Sequence, residues 1–362
     1  MSLTATKKIH NFSAGPGILP AEVLKQASEA CINFQNMGLS LLEISHRSKE
    51  YVAVMDEARA LIKELFCVGD EYEVLYLGGG ASTQFAMVPY NCLTSNGYAA
   101  YVNTGTWASN AIKQAQLVGN TKIIASSEDK NFTYIPKGFE VPKDADYLHI
   151  TSNNTIFGTQ FQSFPESSIP VVCDMSSDIF SRKIDASKFA LIYAGAQKNM
   201  GPAGATMVMI RKDMVGKAER KKFAMLDYAI QIKGESMYNT PPVFPVYVTM
   251  LTLRWLKQNG GIEWIEKINN EKAALLYNEI DRNSMFYGTV AKEDRSKMNV
   301  CFLMNKPELE PEFDKMAKEA GLSGLKGHRS VGGYRASIYN ALPLSSVQAL
   351  VDTMVDFEKK FA

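Results

Sequence analysis

The feature that most constrains the fold is a regular alternation of short apolar runs with amphipathic stretches over residues 73–211. The apolar runs have the length and the β-branched or aromatic content of buried strands. Strands are predicted at 73–77, 99–103, 121–125, 147–151, 170–174, 191–194 and 206–210. Between the earlier runs, residues 83–93 and 108–118 repeat apolar side chains at helical spacing. This order predicts an α/β fold, in which crossover units build a mostly parallel seven-stranded sheet.

The pattern changes after Gly260-Gly261, where longer helical stretches alternate with isolated strands. Helices are predicted at 261–283, 310–320 and 344–361, and strands at 298–304 and 334–338. With 362 residues, of which 46% are hydrophobic, the chain is large enough for about two domains. We therefore expect an N-terminal arm (1–15), a large domain (16–260) and a smaller α+β domain (261–362), joined by a helix.

The charge balance excludes several classes of protein. The chain has 39 Lys and Arg against 38 Asp and Glu, and it contains no long basic block, so we expect no nucleic-acid partner. No apolar run approaches the ~18 residues of a membrane span, and the polar N-terminus lacks the core of a signal peptide. A soluble, cytoplasmic protein is expected.

The five cysteines are odd in number and form no C-x-x-C pair, which favours reduced thiols in the core over disulfides or zinc. The four histidines lack the spacing of metal ligands, so we expect no metal site.

Lys198 lies on a turn of small residues, AGAQKNMGP, directly after one predicted strand, and Asp174 ends the strand before it. Ligands of parallel sheets gather beyond the carboxyl ends of the strands, where both side chains are expected. A lysine that forms a Schiff base and a carboxylate that pairs with a pyridinium nitrogen are what pyridoxal phosphate (PLP) requires. The alternative is a solvated loop lysine and a turn-capping aspartate.

A glycine turn, Gly78-Gly79-Gly80, precedes Ala81 and Ser82 at the start of a predicted helix. Free amides and the helix dipole at such a turn favour a phosphate group. The turn lacks the spacing G-x-G-x-x-G, which argues against a dinucleotide.

Two further side chains follow predicted strands. Trp107 could stack on a pyridine ring, although packing in the core is the alternative. Thr155 could donate its hydroxyl to a phenolate oxygen, or it could belong to an ordinary polar turn.

Two of the four histidines precede an arginine, in His46-Arg47 and in His328-Arg329. Guanidinium and imidazole groups bind phosphate or carboxylate, so the repeated pair predicts an anion clamp. Arg335, on a predicted strand after a double glycine, suits the α-carboxylate of a substrate.

The motifs NFSAGPG (11–17), SHR (45–47), the Gln197-Lys198 turn and GHRSVGGYRASIYNA (327–341) resemble those of the phosphoserine aminotransferase family, PLP enzymes of fold type I and class V. The resemblance extends from the N-terminal arm to the last helix. It implies a homodimer with active sites at the subunit interface. The reaction implied is amino transfer between O-phospho-L-serine and 2-oxoglutarate, giving 3-phosphohydroxypyruvate and L-glutamate, for serine biosynthesis. Members also act on 4-phosphohydroxy-L-threonine in pyridoxine biosynthesis.

The resemblance assigns roles to residues of this chain. Lys198 forms the Schiff base, Asp174 pairs with the pyridine nitrogen, Trp107 stacks on the ring and Thr155 lies near the ring oxygen. The cofactor phosphate is assigned to Ala81, Ser82, Gln197 and, from the neighbouring subunit, Asn239 and Thr240. Arg335 is assigned to the substrate α-carboxylate, and His46, Arg47, His328 and Arg329 to its phosphate or distal carboxylate. Several members carry an arginine after the glycine turn, whereas this chain has Ala81-Ser82-Thr83.

Two alternatives remain. Another class V enzyme, a cysteine desulfurase, would need a reactive cysteine on a mobile loop, whereas Cys301 is predicted in a buried strand. A non-catalytic protein that binds a phosphorylated ligand would have no use for Lys198 facing Asp174.

Overall fold

The computed structural model describes residues 8–362, and the elements below lie within that range. The α-helices are α1 Ala21–Ile32, α2 Lys49–Phe66, α3 Gly80–Cys92, α4 Thr106–Gln116, α5 Tyr228–Lys233, α6 Val243–Gln258, α7 Gly261–Arg282, α8 Glu310–Glu319 and α9 Leu344–Phe361. The β-strands are β1 His10–Asn11, β2 Tyr72–Leu77, β3 Tyr98–Asn103, β4 Asn120–Ser126, β5 Tyr147–Thr151, β6 Val171–Asp174, β7 Leu191–Gly195, β8 Thr206–Arg211, β9 Phe286–Gly288, β10 Asn299–Met304, β11 Leu322–Ser323 and β12 Tyr334–Ser337.

The main layer is a seven-stranded sheet with the order β2-β8-β7-β6-β5-β3-β4. β8 runs antiparallel to both of its neighbours, and the other pairs are parallel. The predicted mostly parallel α/β sheet is confirmed. Its parallel strands end at one common edge, where the predicted site residues follow them.

The central strands are apolar because helices cover both faces of the sheet. Val172 and Leu191, on neighbouring strands, pack in the cluster that contains α3 and α4. Cys173 and Ile192, one position further along each strand, pack in the cluster on the opposite face with α2 and α6. Continuous burial on both faces fixes the register of these strands and therefore the positions of their ends.

A second core forms around the antiparallel sheet β12-β10-β9. Phe286, Phe313 and Phe357 bring aromatic rings from β9, α8 and α9 into contact, with centroids 4.9 to 5.9 Å apart. Phe12 from the N-terminal arm is buried in the same core. The packing holds β12, which carries Arg335, against the helices behind it.

α7 joins the two cores, since Ile265 packs in the large core and Leu276 in the small one. The proposed division at residue 260 therefore falls at the start of a helix shared by both. Of the proposed N-terminal arm, residues 1–7 lie outside the described residues. The rest begins with β1, which pairs in parallel with β11 of the second core.

The expectation that the cysteines are core residues is wrong for Cys67, which is exposed, and for Cys31, which is partly exposed. Cys67 caps the C-terminus of α2 in a left-handed conformation, which turns the chain out of the core. Cys92, Cys173 and Cys301 are buried. No helix within residues 8–362 has both the length and the apolar character needed to cross a membrane.

Candidate active site

Lys198 lies on the turn that follows β7, and its amine contacts two other predicted site residues. Lys198 Nζ donates a hydrogen bond to Thr155 Oγ1 at 2.8 Å. The same atom lies 5.2 Å from the centroid of the Trp107 ring. Thr155 follows β5, and Trp107 is in the first turn of α4, directly after β3. Three strand ends therefore bring these side chains together.

The amine of Lys198 is easier to deprotonate than that of an ordinary lysine. Burial lowers the pKa of Lys198 to about 8. The negative charge of Asp174 opposes this shift, and the positive charge of Arg335 adds to it. A larger share of neutral amine is therefore present near neutral pH, as nucleophilic attack and proton transfer require.

Asp174 ends β6 with a side chain that is 5% exposed. Its Oδ1 accepts hydrogen bonds from the Ser176 amide at 2.9 Å and from the Ser176 hydroxyl at 2.6 Å. Burial raises the pKa of Asp174, whereas Lys198 and the two Ser176 bonds favour the carboxylate. The sequence reasoning missed Ser176. The spacing Asp-x-Ser, in which a carboxylate accepts from the amide two residues later, was the available signal.

The glycine turn leads into α3 as predicted. Gly79 has a φ of +88°, and a Cβ there would lie 2.0 Å from Thr83 Oγ1, so the turn requires glycine. Ala81 and Ser82 occupy the first turn of α3, where backbone amides lack helical acceptors, and that turn contains no acidic residue. The helix start is therefore suited to an anion. Gln197, also assigned to the phosphate, precedes Lys198, and its carbonyl accepts from the Gly17 amide at 2.7 Å.

Arg335 reaches the same cluster from the second core. Its Nη1 donates to the Thr155 carbonyl at 3.3 Å, while its Nε is buried and without a partner among the described residues. Burial lowers the pKa of His328, and the positive charges of Arg335 and Arg329 add to this shift. The guanidinium of Arg335 is therefore available to an acidic ligand beside Lys198.

The structure does not bring six predicted residues into hydrogen-bond contact with this cluster within one chain. Arg47, Asn239, Thr240 and Arg329 are exposed, and His46 and His328 are partly exposed. Among residues 8–362, no side-chain hydrogen bond links any of them to Lys198, Thr155 or Arg335. Their predicted roles stay predictions.

Cys301 lies on β10 beside the site, but its thiol is buried. Burial raises the pKa of Cys301 to about 12. A thiol that does not ionise near neutral pH cannot serve as the nucleophile of a desulfurase.

The sheet, the lysine turn and the free amides at the start of α3 fit one class of enzyme. Residues 9–350 match the family model of the class-V aminotransferases, and the chain belongs to that family.

Several relatives that are at least 35% identical to this chain are named phosphoserine aminotransferase. The phosphoserine aminotransferase of Flavobacterium johnsoniae is 64% identical over 354 residues, covering 98% of this chain and 99% of the relative. The structure of phosphoserine aminotransferase from Bacillus circulans subsp. alkalophilus has a TM-score of 0.95 and 46% identity, covering 98% of this chain and 99% of the other. A PLP-bound phosphoserine aminotransferase from Trichomonas vaginalis has a TM-score of 0.90 and 35% identity, covering 96% of this chain and all of the other. The family resemblance predicted from the sequence is confirmed.

Proposed function

We propose that the protein is a PLP-dependent phosphoserine aminotransferase. It interconverts O-phospho-L-serine and 2-oxoglutarate with 3-phosphohydroxypyruvate and L-glutamate, a step of serine biosynthesis. The observation that carries the proposal is the placement of the Lys198 amine, 2.8 Å from Thr155 Oγ1 and over the Trp107 ring, with Arg335 on the same threonine. Relatives over nearly the full length support the substrate.

The residues present fit PLP. The Trp107 ring faces the Lys198 amine, Asp174 supplies a buried carboxylate, and the first turn of α3 offers free amides for a phosphate. Lys198, Asp174, Trp107 and Thr155 would hold the ring, and Ala81, Ser82 and Gln197 its phosphate. When bound, PLP supplies an electron sink for the bond that breaks at the substrate Cα.

The chain's own residues handle the charges and the protons. Lys198 Nζ, with a pKa near 8, accepts the proton that leaves the substrate Cα. Thr155 Oγ1 orients that amine before the substrate arrives. The carboxylate of Asp174, fixed by Ser176, holds a proton on the pyridine nitrogen. Arg335 binds the α-carboxylate through its guanidinium, a planar set of donors that matches a carboxylate.

The substrate phosphate is assigned to His46, Arg47, His328 and Arg329. We infer a homodimer, in which Arg47, exposed on its own chain, would meet the substrate of a neighbouring subunit. The same reasoning applies to Asn239 and Thr240 at the cofactor phosphate. The proposal also includes a cytoplasmic location and action on 4-phosphohydroxy-L-threonine in pyridoxine biosynthesis.

The test is the specificity constant, kcat/KM, for O-phospho-L-serine and for L-serine with 2-oxoglutarate as acceptor. The enzyme should strongly prefer the phosphorylated donor. Arg329→Ala should lower kcat/KM for phosphoserine about a hundredfold, because the charge-assisted pair between Arg329 and the substrate phosphate, worth about 2 to 3 kcal/mol, is lost. The kcat/KM for L-serine, which has no phosphate, should change little. Equal use of both donors by the native enzyme would contradict the proposed substrate. Release of PLP from Arg329→Ala would show that Arg329 serves the cofactor instead.

A further inference from the structure

Lys272, on α7, is a charged residue whose side chain is completely buried, with 0% exposure. Lysine is rarely found in this environment unless it is paired. None of the salt bridges formed by residues 8–362 includes Lys272, and burial lowers its pKa to about 7. The residue is therefore held in a costly position without a carboxylate partner.

The Lys272 amine is satisfied by three backbone carbonyls. Nζ donates to the oxygens of Ile338 at 3.0 Å, Tyr339 at 2.7 Å and Leu342 at 3.1 Å. Three donated bonds use the three N–H groups of an ammonium, whereas a neutral amine has two. The geometry thus fits the charged form, because the three carbonyl dipoles stabilise the ammonium against the burial that lowers its pKa.

The carbonyls belong to the 338–342 segment, which directly follows β12 and so continues the strand that carries Arg335. Asn340 in this segment also contacts the Lys198 turn, because its backbone N–H donates a hydrogen bond to Asn199 Oδ1 at 2.8 Å. On the other side, Asn269, one turn before Lys272 on α7, donates to Asn340 Oδ1 at 2.8 Å. The segment is therefore fixed between α7 and the residue next to Lys198.

We propose that Lys272 is a positioning residue for amino transfer: its buried ammonium fixes the 338–342 segment and thereby the placement of Arg335 relative to Lys198. The inference rests on the proposed role of Arg335 at the substrate α-carboxylate. Lys272 touches neither substrate nor cofactor and acts through the backbone. Displacement of a binding group by ~1 Å can cost up to about a hundredfold in rate, so small shifts of this segment matter.

The test is Lys272→Met, which keeps an unbranched side chain and removes the charge. The KM values for phosphoserine and for glutamate should both rise about tenfold, because both donors present an α-carboxylate to Arg335. The visible absorption band of bound PLP should be retained. Lys267→Met, at an exposed position of the same helix, is the matched control and should leave both KM values unchanged. A lower melting temperature with native kcat and KM would reduce Lys272 to a stability role and overturn the proposal.

A double-mutant cycle with Arg335→Gln separates this inference from the proposed function. Non-additive effects on KM are expected, since both changes act at one carboxylate site. Additive effects would show that Lys272 does not act through Arg335. If Arg335→Gln alone left both KM values native, the role of Arg335 would fail, and this inference with it, while amino transfer itself would stand.

If Lys272→Met does not fold, Asn269→Ala provides the test, because it releases the same segment at Asn340 without removing a buried charge. Raised KM values for both donors would support the proposal, and native values would overturn it.

Discussion

The role of Lys198 could be predicted from the sequence, but its contacts could not. Its small-residue turn identified the lysine, and the strand order placed Asp174 at the same edge of the sheet. The hydrogen bond from Lys198 to Thr155 joins residues that are 43 positions apart in the chain. No local sequence pattern reveals such a contact. Ser176 was missed because serine near a strand end is common, and its contact with Asp174 becomes meaningful once Asp174 is buried.

At the same scale, the pKa of Lys198 leads to a prediction of pH dependence. Uptake of PLP by cofactor-free enzyme requires a neutral amine, so its rate should rise as the pH passes about 8. Arg335 lowers the pKa of Lys198, and so Arg335→Gln should move this midpoint to higher pH. The measurement is the rate of appearance of the visible absorption band across a pH series. Arg329→Gln is the control, and a midpoint that is unmoved in Arg335→Gln would contradict the assigned contact.

At the scale of elements, the sheet was predictable because its strands are buried on both faces and are therefore continuous apolar runs. β5, at Tyr147–Thr151, was predicted without error, and the other main-sheet strands to within one residue at each end. α6 was not predicted, because Val243–Gln258 is apolar around most of its surface and lacks helical alternation. α2 was not predicted either, although its buried residues, such as Val54, Ala58 and Leu61, recur at helical spacing after the Ser48 cap.

The start of α3 gives a prediction about an element. Gly79→Ala combines a left-handed φ with a clash against Thr83, so the first turn of α3 has to shift. PLP affinity should fall about tenfold, corresponding to roughly 1.4 kcal/mol of lost phosphate binding. The dissociation constant, measured by titrating cofactor-free enzyme with PLP, checks this. Gly138→Ala, at a φ of +70° with open space around it, controls for backbone strain alone. Equal losses in the two variants would argue against phosphate binding at α3.

At the scale of the whole molecule, Arg47, Asn239 and Thr240 are exposed, and in the proposed homodimer they serve the active site of the neighbouring subunit. Tyr238, next to Asn239, is a large apolar side chain that is 48% exposed. The repeated His-Arg pair indicated an anion-binding role for Arg47, whereas Asn239 and Thr240 were assigned through resemblance alone, because no signal within one chain identifies the residues that a partner covers.

The dimer can be tested by light scattering, which should give twice the mass of the chain. Tyr238→Asp should weaken the dimer and PLP binding together, because a buried unpaired charge is costly at an interface. Leu117→Asp, at a side chain that is 81% exposed, is the matched control and should change neither property. A fully active monomer would contradict shared active sites.

In the proposed function, Lys198 holds PLP and the bound cofactor takes the amino group of phosphoserine. The most direct measurement is the absorption spectrum of the purified protein before and after addition of O-phospho-L-serine without a keto acid. We expect a visible band that is lost as the amino group is transferred to the cofactor, and no such lysine-linked band in Lys198→Ala. A native protein that stays colourless with added PLP would contradict the assignment of the cofactor. A band that phosphoserine leaves unchanged would contradict the assignment of the substrate.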